Sequence, residues 1–148
     1  MKQSLRPFLI VMVFSVLISG LLLSTKLFSE DANKDEEWKA PARASKKPNP
    51  IPADENSIAA GKIVYTKECF SCHGTTGKGD GPAAKDLKKS PGDLSNPKMW
   101  EQTDGALFWK ITTGKTPMAS YEKLLTEEQR WNVINYVRIL APHPGEKK

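Results

Sequence analysis

The stretch that decides the fold runs from Cys69 to Pro82 and reads CFSCHGTTGKGDGP. It contains both cysteines of the 148-residue chain, and His73, one of two histidines, directly follows the second cysteine. Residues three apart in a helix lie on the same face. Five consecutive residues therefore bring two thiols and an imidazole together, and four glycines and a proline follow at once.

The pattern Cys69-x-x-Cys72-His73 is compatible with four kinds of site. A structural zinc site takes four Cys or His ligands, and the chain can add only His143 to these three residues. A thioredoxin-like pair is expected near a βαβ unit, which the sequence does not indicate. A disulfide across two residues would constrain little chain. Covalent haem attachment is typical of C-x-x-C-H, so the motif favours Cys69 and Cys72 as attachment residues and His73 as an iron ligand.

The N-terminal segment, residues 1–28, is predicted to be a signal anchor or a signal peptide. Phe8 to Thr25 carries no charge, and Lys2 and Arg6 precede it, which is the pattern of an export signal. Eighteen helical residues would reach about 27 Å, close to the roughly 30 Å of a hydrocarbon core. No A-x-A-like cleavage site follows, which favours an uncleaved anchor in the cytoplasmic membrane. A soluble periplasmic protein is the alternative, and in either case the remaining chain is expected on the outer side.

Residues 29–53 are predicted to be a charged, proline-rich linker. The segment from Ser29 to Glu55 has few apolar residues besides Trp38 and Ile51, and it cannot bury enough surface to fold alone. It is expected to form an extended tether. An ordered arm that wraps on the domain is the alternative, which Trp38 favours.

Residues 54–141 are predicted to form a small all-α domain, followed by a tail at 142–148. Ser57 to Lys67 has a helical pattern with Asp54 or Asn56 as N-cap. Thr103 to Thr113 is predicted to be a helix that Gly114 ends, and a short helix is expected at Ala83 to Lys88. Thr126 to Gln129 is a capping box that opens a helix in which apolar residues recur at intervals of three: Trp131, Ile134, Val137 and Leu140.

The charge distribution argues against nucleic-acid binding. The net charge of +5 comes mostly from the N-terminal third, and basic and acidic residues nearly balance from Asp54 onward. Binding to nucleic acid depends on neutralising several phosphates. The loop around Gly77 also lacks the Lys-Ser/Thr and the preceding strand of a phosphate-binding loop. No nucleic-acid partner and no small-molecule substrate are therefore expected.

The chain resembles the bacterial class I single-haem c-type cytochromes over roughly Ser57 to Leu140. The shared motifs occur in the order of the family. They are Gly61 and Tyr65, then Cys69-x-x-Cys72-His73-Gly74, Gly77-x-Gly79-Asp80-Gly81-Pro82, Gly114-x-x-Pro117-Met118, and Trp131 with Tyr136-Val137. The resemblance implies the class I cytochrome c fold, three to five helices around one covalently attached haem c. In this chain that fold is expected to follow an N-terminal apolar helix and a flexible linker.

The resemblance also implies roles for residues outside the haem motif. Met118 matches the family's distal iron ligand, while Met99 is expected to pack beside Trp100. Pro82 matches the proline whose carbonyl orients the histidine ligand. Trp109 either contacts a haem propionate or is buried in the core.

The expected function is one-electron transfer in a membrane-associated respiratory chain, with the iron cycling between Fe(II) and Fe(III). The protein is expected to be a carrier rather than an enzyme, with redox proteins as partners: a membrane electron donor and an oxidase or reductase acceptor. One alternative is a fixed subunit of a larger quinol-oxidising, dehydrogenase or terminal oxidase complex. An alternative of another class is a haem enzyme or gas sensor, which needs an iron that Met118 does not bind.

Overall fold

The computed structural model describes residues 38–143, and the predicted N-terminal anchor and the first part of the linker lie outside them. Residues 39–143 belong to one compact unit. The described helices are α1 (Ala42–Ser45), α2 (Glu55–Glu68), α3 (Phe70–His73), α4 (Asp104–Thr113) and α5 (Glu127–Leu140), with 3-10 turns at Ala84–Asp86 and Pro97–Glu101. Within this range no strand is present, and no helix is long and apolar enough to cross a membrane. The prediction of an all-α domain is confirmed.

The predicted helix caps are confirmed. Asp54 caps α2, since its carboxylate accepts a 2.8 Å bond from the Ser57 amide. Thr103 caps α4 through the Ala106 amide, and Thr126 and Gln129 form the reciprocal capping box of α5. These side chains satisfy amides that have no partner within the first turn of a helix. The helix at Ala83 to Lys88 is shorter than expected, a 3-10 turn over Ala84–Asp86.

Helices α2 and α5 cross closely at Gly61. A Cβ added there would overlap the Asn132 carbonyl and lie 3.0 Å from Tyr136 Cβ. One turn further along α2, the ring of Tyr65 packs on that of Tyr136, with centroids 5.1 Å apart. The absence of a side chain at Gly61 is therefore what lets the two helices approach.

The core lies between α2, α4 and α5. Trp131, Val133 and Ile134 on α5 are at most 1% exposed. Phe108 of α4 stacks on Trp131 with a centroid distance of 4.0 Å. Met99, on the second 3-10 turn, is 7% exposed within the same cluster, which is the packing role expected of it.

Residues 39–54 are packed on the helical domain, so the ordered-arm alternative describes this part of the predicted linker. Asn49 donates to the Asn135 side chain at 2.8 Å and accepts from the Ile51 amide at 2.9 Å. Thr103 donates to the Ser45 carbonyl at 2.7 Å, and Ile51 packs against the core. Composition predicted an extended tether because it measures apolar content, whereas polar side chains and backbone groups make most of these contacts.

Candidate haem-binding site

Cys69 and Cys72 lie one helical turn apart, at the junction of α2 and α3. Cys69 ends α2, and its amide donates to the Tyr65 carbonyl at 2.9 Å. Cys72 lies within α3, and its amide returns to the Cys69 carbonyl at 3.2 Å. Both side chains are partly buried and form no disulfide. Two thiols held at this spacing meet one edge of a planar ligand.

Cys69 is held as a neutral thiol. Burial raises its pKa to about 12, and the nearby Glu68 and Cys72 contribute in the same direction. A charged thiolate would be poorly solvated at this position. The surroundings of Cys69 are therefore those of an apolar contact surface rather than of a redox-active thiolate.

His73 is set up as a neutral ligand with one free nitrogen. Its Nδ1 lies 3.2 Å from the Gly92 carbonyl oxygen. A carbonyl can only accept, so Nδ1 carries the proton in this contact and Nε2 retains its lone pair. Burial lowers the pKa of His73, although the Gly92 contact opposes this shift. A partly buried, neutral imidazole oriented through Nδ1 is the usual state of a metal-binding histidine.

The acceptor for His73 differs from the residue that the sequence suggested. Pro82 is exposed, and the amides on either side of it bond to the haem-motif helix: Gly81 to the Cys72 carbonyl at 3.1 Å and Ala83 to Ser71 at 2.8 Å. Pro82 thus lies beside α3, but the structure pairs His73 with Gly92. A role for Pro82 in orienting His73 stays a prediction.

The glycines after His73 fold the loop back onto the helices. Gly74, Gly77 and Gly79 have φ values of 75°, 80° and 77°, which side chains other than glycine adopt at a cost. The Gly79 amide donates to the His73 carbonyl at 2.9 Å. The Tyr65 hydroxyl donates to the Gly74 carbonyl at 2.7 Å, so α2 holds the residue that follows the histidine.

Met118 lies in the segment between α4 and α5, and residues 114–121 are called the Met118 loop below. Gly114 ends α4 with φ 65°, and the chain returns so closely that a Cβ on Gly114 would meet the Ala119 carbonyl carbon at 2.5 Å. The Met118 amide donates to the Lys115 carbonyl at 2.9 Å. Met118 is partly buried near the tip of a narrow loop.

Tyr121 joins the Met118 loop to the haem-motif helices, although no sequence motif marked it as a site residue. Its hydroxyl donates to the Glu68 carbonyl at 2.8 Å. Burial raises the pKa of Tyr121 to about 12, and Cys69, Glu68 and Cys72 contribute in the same direction. An aromatic residue three positions after the predicted ligand was the available signal.

The remaining candidate residues lie elsewhere. Trp109 is partly buried on α4, and neither of its two predicted roles is decided. His143, the fourth residue of the zinc alternative, packs edge-on against Trp100 with a centroid distance of 4.7 Å. Across residues 38–143 no three His, Cys, Asp or Glu side chains are grouped to hold a metal ion.

The residues of the site fit a covalently bound haem. Two partly buried thiols lie one turn apart, and an imidazole with an available Nε2 follows them. Tyr121 connects the loop that carries a thioether to the same turn. Thiol, imidazole and thioether are the donor set of haem attachment and axial ligation.

Comparison with known proteins gives the same picture. Residues 56–137, more than half of the chain, match the family described as cytochrome c oxidase, cbb3-type, subunit III. Cytochrome c6 of Rippkaea orientalis is 41% identical over 86 residues, which cover 58% of this chain and 73% of that protein. A chain from the structure of the reducing HAO-like protein complex of Kuenenia stuttgartiensis is 33% identical, with a TM-score of 0.56. That match covers 63% of this chain but only 47% of the solved chain.

Proposed function

We propose that four residues hold the haem of this chain, which belongs to the cytochrome c family that includes subunit III of cbb3-type cytochrome c oxidase. Cys69 and Cys72 would attach the haem covalently, and His73 and Met118 would bind its iron. The family membership makes the chain an electron-transfer protein with one covalently bound haem c. When bound, the haem supplies a one-electron couple between Fe(II) and Fe(III).

The observation that carries this assignment is the pairing of the two ligand segments. The turn from Cys69 to His73 presents both thiols and the imidazole, and the Tyr121–Glu68 hydrogen bond of 2.8 Å fastens the Met118 loop beside it. With both ligands bound, the iron would have no position open to oxygen or peroxide. Electron transfer then needs little rearrangement, which suits a carrier better than an enzyme or a gas sensor.

The protein groups around the site adjust the redox couple. His73 donates a hydrogen bond from Nδ1 to the Gly92 carbonyl. This bond fixes the ring plane and makes the Nε2 lone pair a stronger ligand for the iron. A thioether is a neutral, soft ligand that favours the reduced iron and raises the potential. Cys69 is only partly exposed, and partial shielding from water at this edge of the site would disfavour the extra positive charge of the oxidised state.

An optical spectrum of the purified holoprotein tests the ligand assignment. Ferric c-type haem with a methionine–iron bond has a weak long-wavelength band, and Met118→Ala should abolish it. Met99→Leu is the matched control, because Met99 is 7% exposed in the core, and this variant should keep the band. Rapid carbon monoxide binding by the reduced wild type would instead support the open-iron alternative. Cys69→Ala/Cys72→Ala should lose haem that survives denaturation.

We further propose that the protein works on the outer face of the cytoplasmic membrane, tethered by its N-terminal apolar run. Because the compact unit begins at Lys39, only residues 29–38 separate the run from the domain. Ten residues reach at most about 35 Å even when fully extended. This short reach favours service to one neighbouring complex over wide shuttling, and the cbb3-type subunit family supports such a role.

Two fractionation experiments test this location. A tagged full-length protein should sediment with membranes and copurify, at a fixed ratio, with a quinol-oxidising, dehydrogenase or oxidase complex. A protein whose residues 1–28 are replaced by a cleavable signal peptide should be soluble in the periplasm with unchanged spectrum. Recovery of the full-length protein in the soluble fraction would support cleavage instead, and membrane recovery without any partner complex would support a free tethered carrier.

A further inference from the structure

Two hydrogen bonds to the last turn of α4 hold the two ends of the Met118 loop together. The Tyr121 amide donates to the Ile111 carbonyl at 3.1 Å, and the Ser120 hydroxyl donates to the Thr112 carbonyl at 2.7 Å. These carbonyls lie in the last turn of α4, where helix carbonyls have no partner within the helix. The shape of the loop is thus set locally, and its position relative to the haem motif needs a separate contact.

Tyr121 makes that contact with Glu68, the residue before Cys69. The acceptor is a carbonyl of the last turn of α2. Such carbonyls accept bonds from outside the helix. The contact links residues 53 apart in sequence, so it fixes a distance that the local chain does not.

Arg130 of α5 holds the backbone of Tyr121 from the other side. Its Nη1 donates to the carbonyls of Tyr121, Glu122 and Leu125, at 3.3, 3.1 and 2.7 Å. Arg130 is 8% exposed, and its guanidinium lies over the Phe108 ring at 5.0 Å. Because Arg130 of α5 holds the Tyr121 backbone and the Tyr121 hydroxyl bonds to Glu68, Tyr121 connects α5 to the end of α2.

We propose that Tyr121 is a positioning residue for the sixth iron ligand: its hydroxyl holds the Met118 loop at the distance from the Cys69–His73 turn at which Met118 reaches the iron. The proposal rests on the function above, in which Met118 binds the iron. Removal of the hydroxyl leaves the Tyr121 backbone bonded to Arg130 and Ile111 but takes away the direct bond between the Met118 loop and α2. Met118 then leaves the iron more readily, while the loop keeps its fold.

Competition with imidazole measures this effect directly in the ferric holoprotein. Added imidazole binds the iron only where Met118 has left it, so its apparent affinity reports how firmly Met118 is held. Loss of one hydrogen bond should raise the imidazole affinity of Tyr121→Phe roughly threefold to tenfold. Tyr121 replaced by p-aminophenylalanine, which retains a donor toward Glu68, should restore the wild-type affinity and also covers the case in which the Phe variant yields no holoprotein.

Tyr65→Phe is the matched control. It removes a buried tyrosine hydroxyl of similar bond length, 2.7 Å to the Gly74 carbonyl, but this bond lies on the His73 side. Tyr65→Phe should lower stability and leave imidazole affinity unchanged. Equal affinity in Tyr121→Phe and wild type, or equal shifts in the two Phe variants, would overturn the positioning role. A wild type without the long-wavelength band, or a Met118→Ala variant that keeps it, would instead overturn the ligand assignment.

Discussion

Gly61→Ala should separate helices α2 and α5 and destabilise the domain. The added Cβ would overlap the Asn132 carbonyl, a backbone atom of α5 that cannot turn away, and would lie 3.0 Å from Tyr136 Cβ. Because an ordinary carbon–oxygen contact is about 3.4 Å or longer, the helices must move apart by more than about 1 Å at their crossing. The packing between Tyr65 and Tyr136, at 5.1 Å between centroids, would loosen with them.

The expected loss is about 2 kcal/mol. Overpacking of a close-packed core costs up to about 3 kcal/mol, and alanine recovers about 1 kcal/mol through its better helix propensity. For a domain near 100 residues, 1 kcal/mol corresponds to about 4–8 °C, so Tm should fall by roughly 8–16 °C. Thermal and denaturant unfolding of the holoprotein, followed by far-ultraviolet circular dichroism, provide the measurement.

Gly92→Ala provides the control for Gly61→Ala. A Cβ at Gly92 would have no atom within 4 Å, and the carbonyl that His73 contacts is retained. Its unfolding free energy should stay within about 0.5 kcal/mol of wild type. A Gly61→Ala protein as stable as wild type would refute the proposed close approach of the helices, and equal losses in both variants would show that the effect is not specific to the crossing.

Three further predictions follow from other contacts. Asn49→Ala should lower the free energy of unfolding by about 1–2 kcal/mol, because it removes bonds that Asn49 of the arm, residues 39–54, makes to Asn135 and Ile51. An unchanged denaturant midpoint would mean that the arm adds no stability. Between pH 10 and about 12 the wild type should lose stability that Tyr121→Phe does not lose. The reason is that Tyr121 has a pKa of about 12 in the native state, whereas it ionises near 10 in the unfolded state. After allowance for partial exposure the difference in unfolding free energy is about 1 kcal/mol, and parallel stability curves of the two proteins would contradict it. Oxidation by ferricyanide, an anion, should slow as salt rises if exposed lysines such as Lys78, Lys85 and Lys88 steer partners, and a flat salt dependence would remove this role.

The parts of the fold that sequence predicted are those encoded over a few residues. The caps at Asp54, Thr103 and Thr126 were predictable because a side chain bonds an amide two or three residues on. The motif from Cys69 to His73 was predictable because its spacing and its chemistry coincide. Gly61 is among the motifs that carry the family resemblance, whereas its close contact with α5 is a property of the tertiary structure.

The arm shows where composition was a poor guide. Residues 39–54 are polar and proline-rich, which indicates that they cannot fold alone. They are ordered because the helical domain supplies partners: Asn135 for Asn49, Thr103 for Ser45, and the core for Ile51. Dependence on a neighbouring surface leaves little trace in the segment's own residues.

The contacts that orient the two ligand segments were the least predictable, and they share one physical cause. The Gly92 carbonyl and the Glu68 carbonyl are backbone acceptors, and every residue has such a group, so no residue type marks them. Their partners lie 19 and 53 positions away, beyond the range of helical periodicity. The sequence therefore indicates which side chains to propose as iron ligands, whereas, on our proposal, the strength with which Met118 is held depends on long-range bonds to the backbone. For this reason, removal of the Tyr121 hydroxyl should change the affinity for added imidazole, while His73 and Met118 remain the proposed ligands.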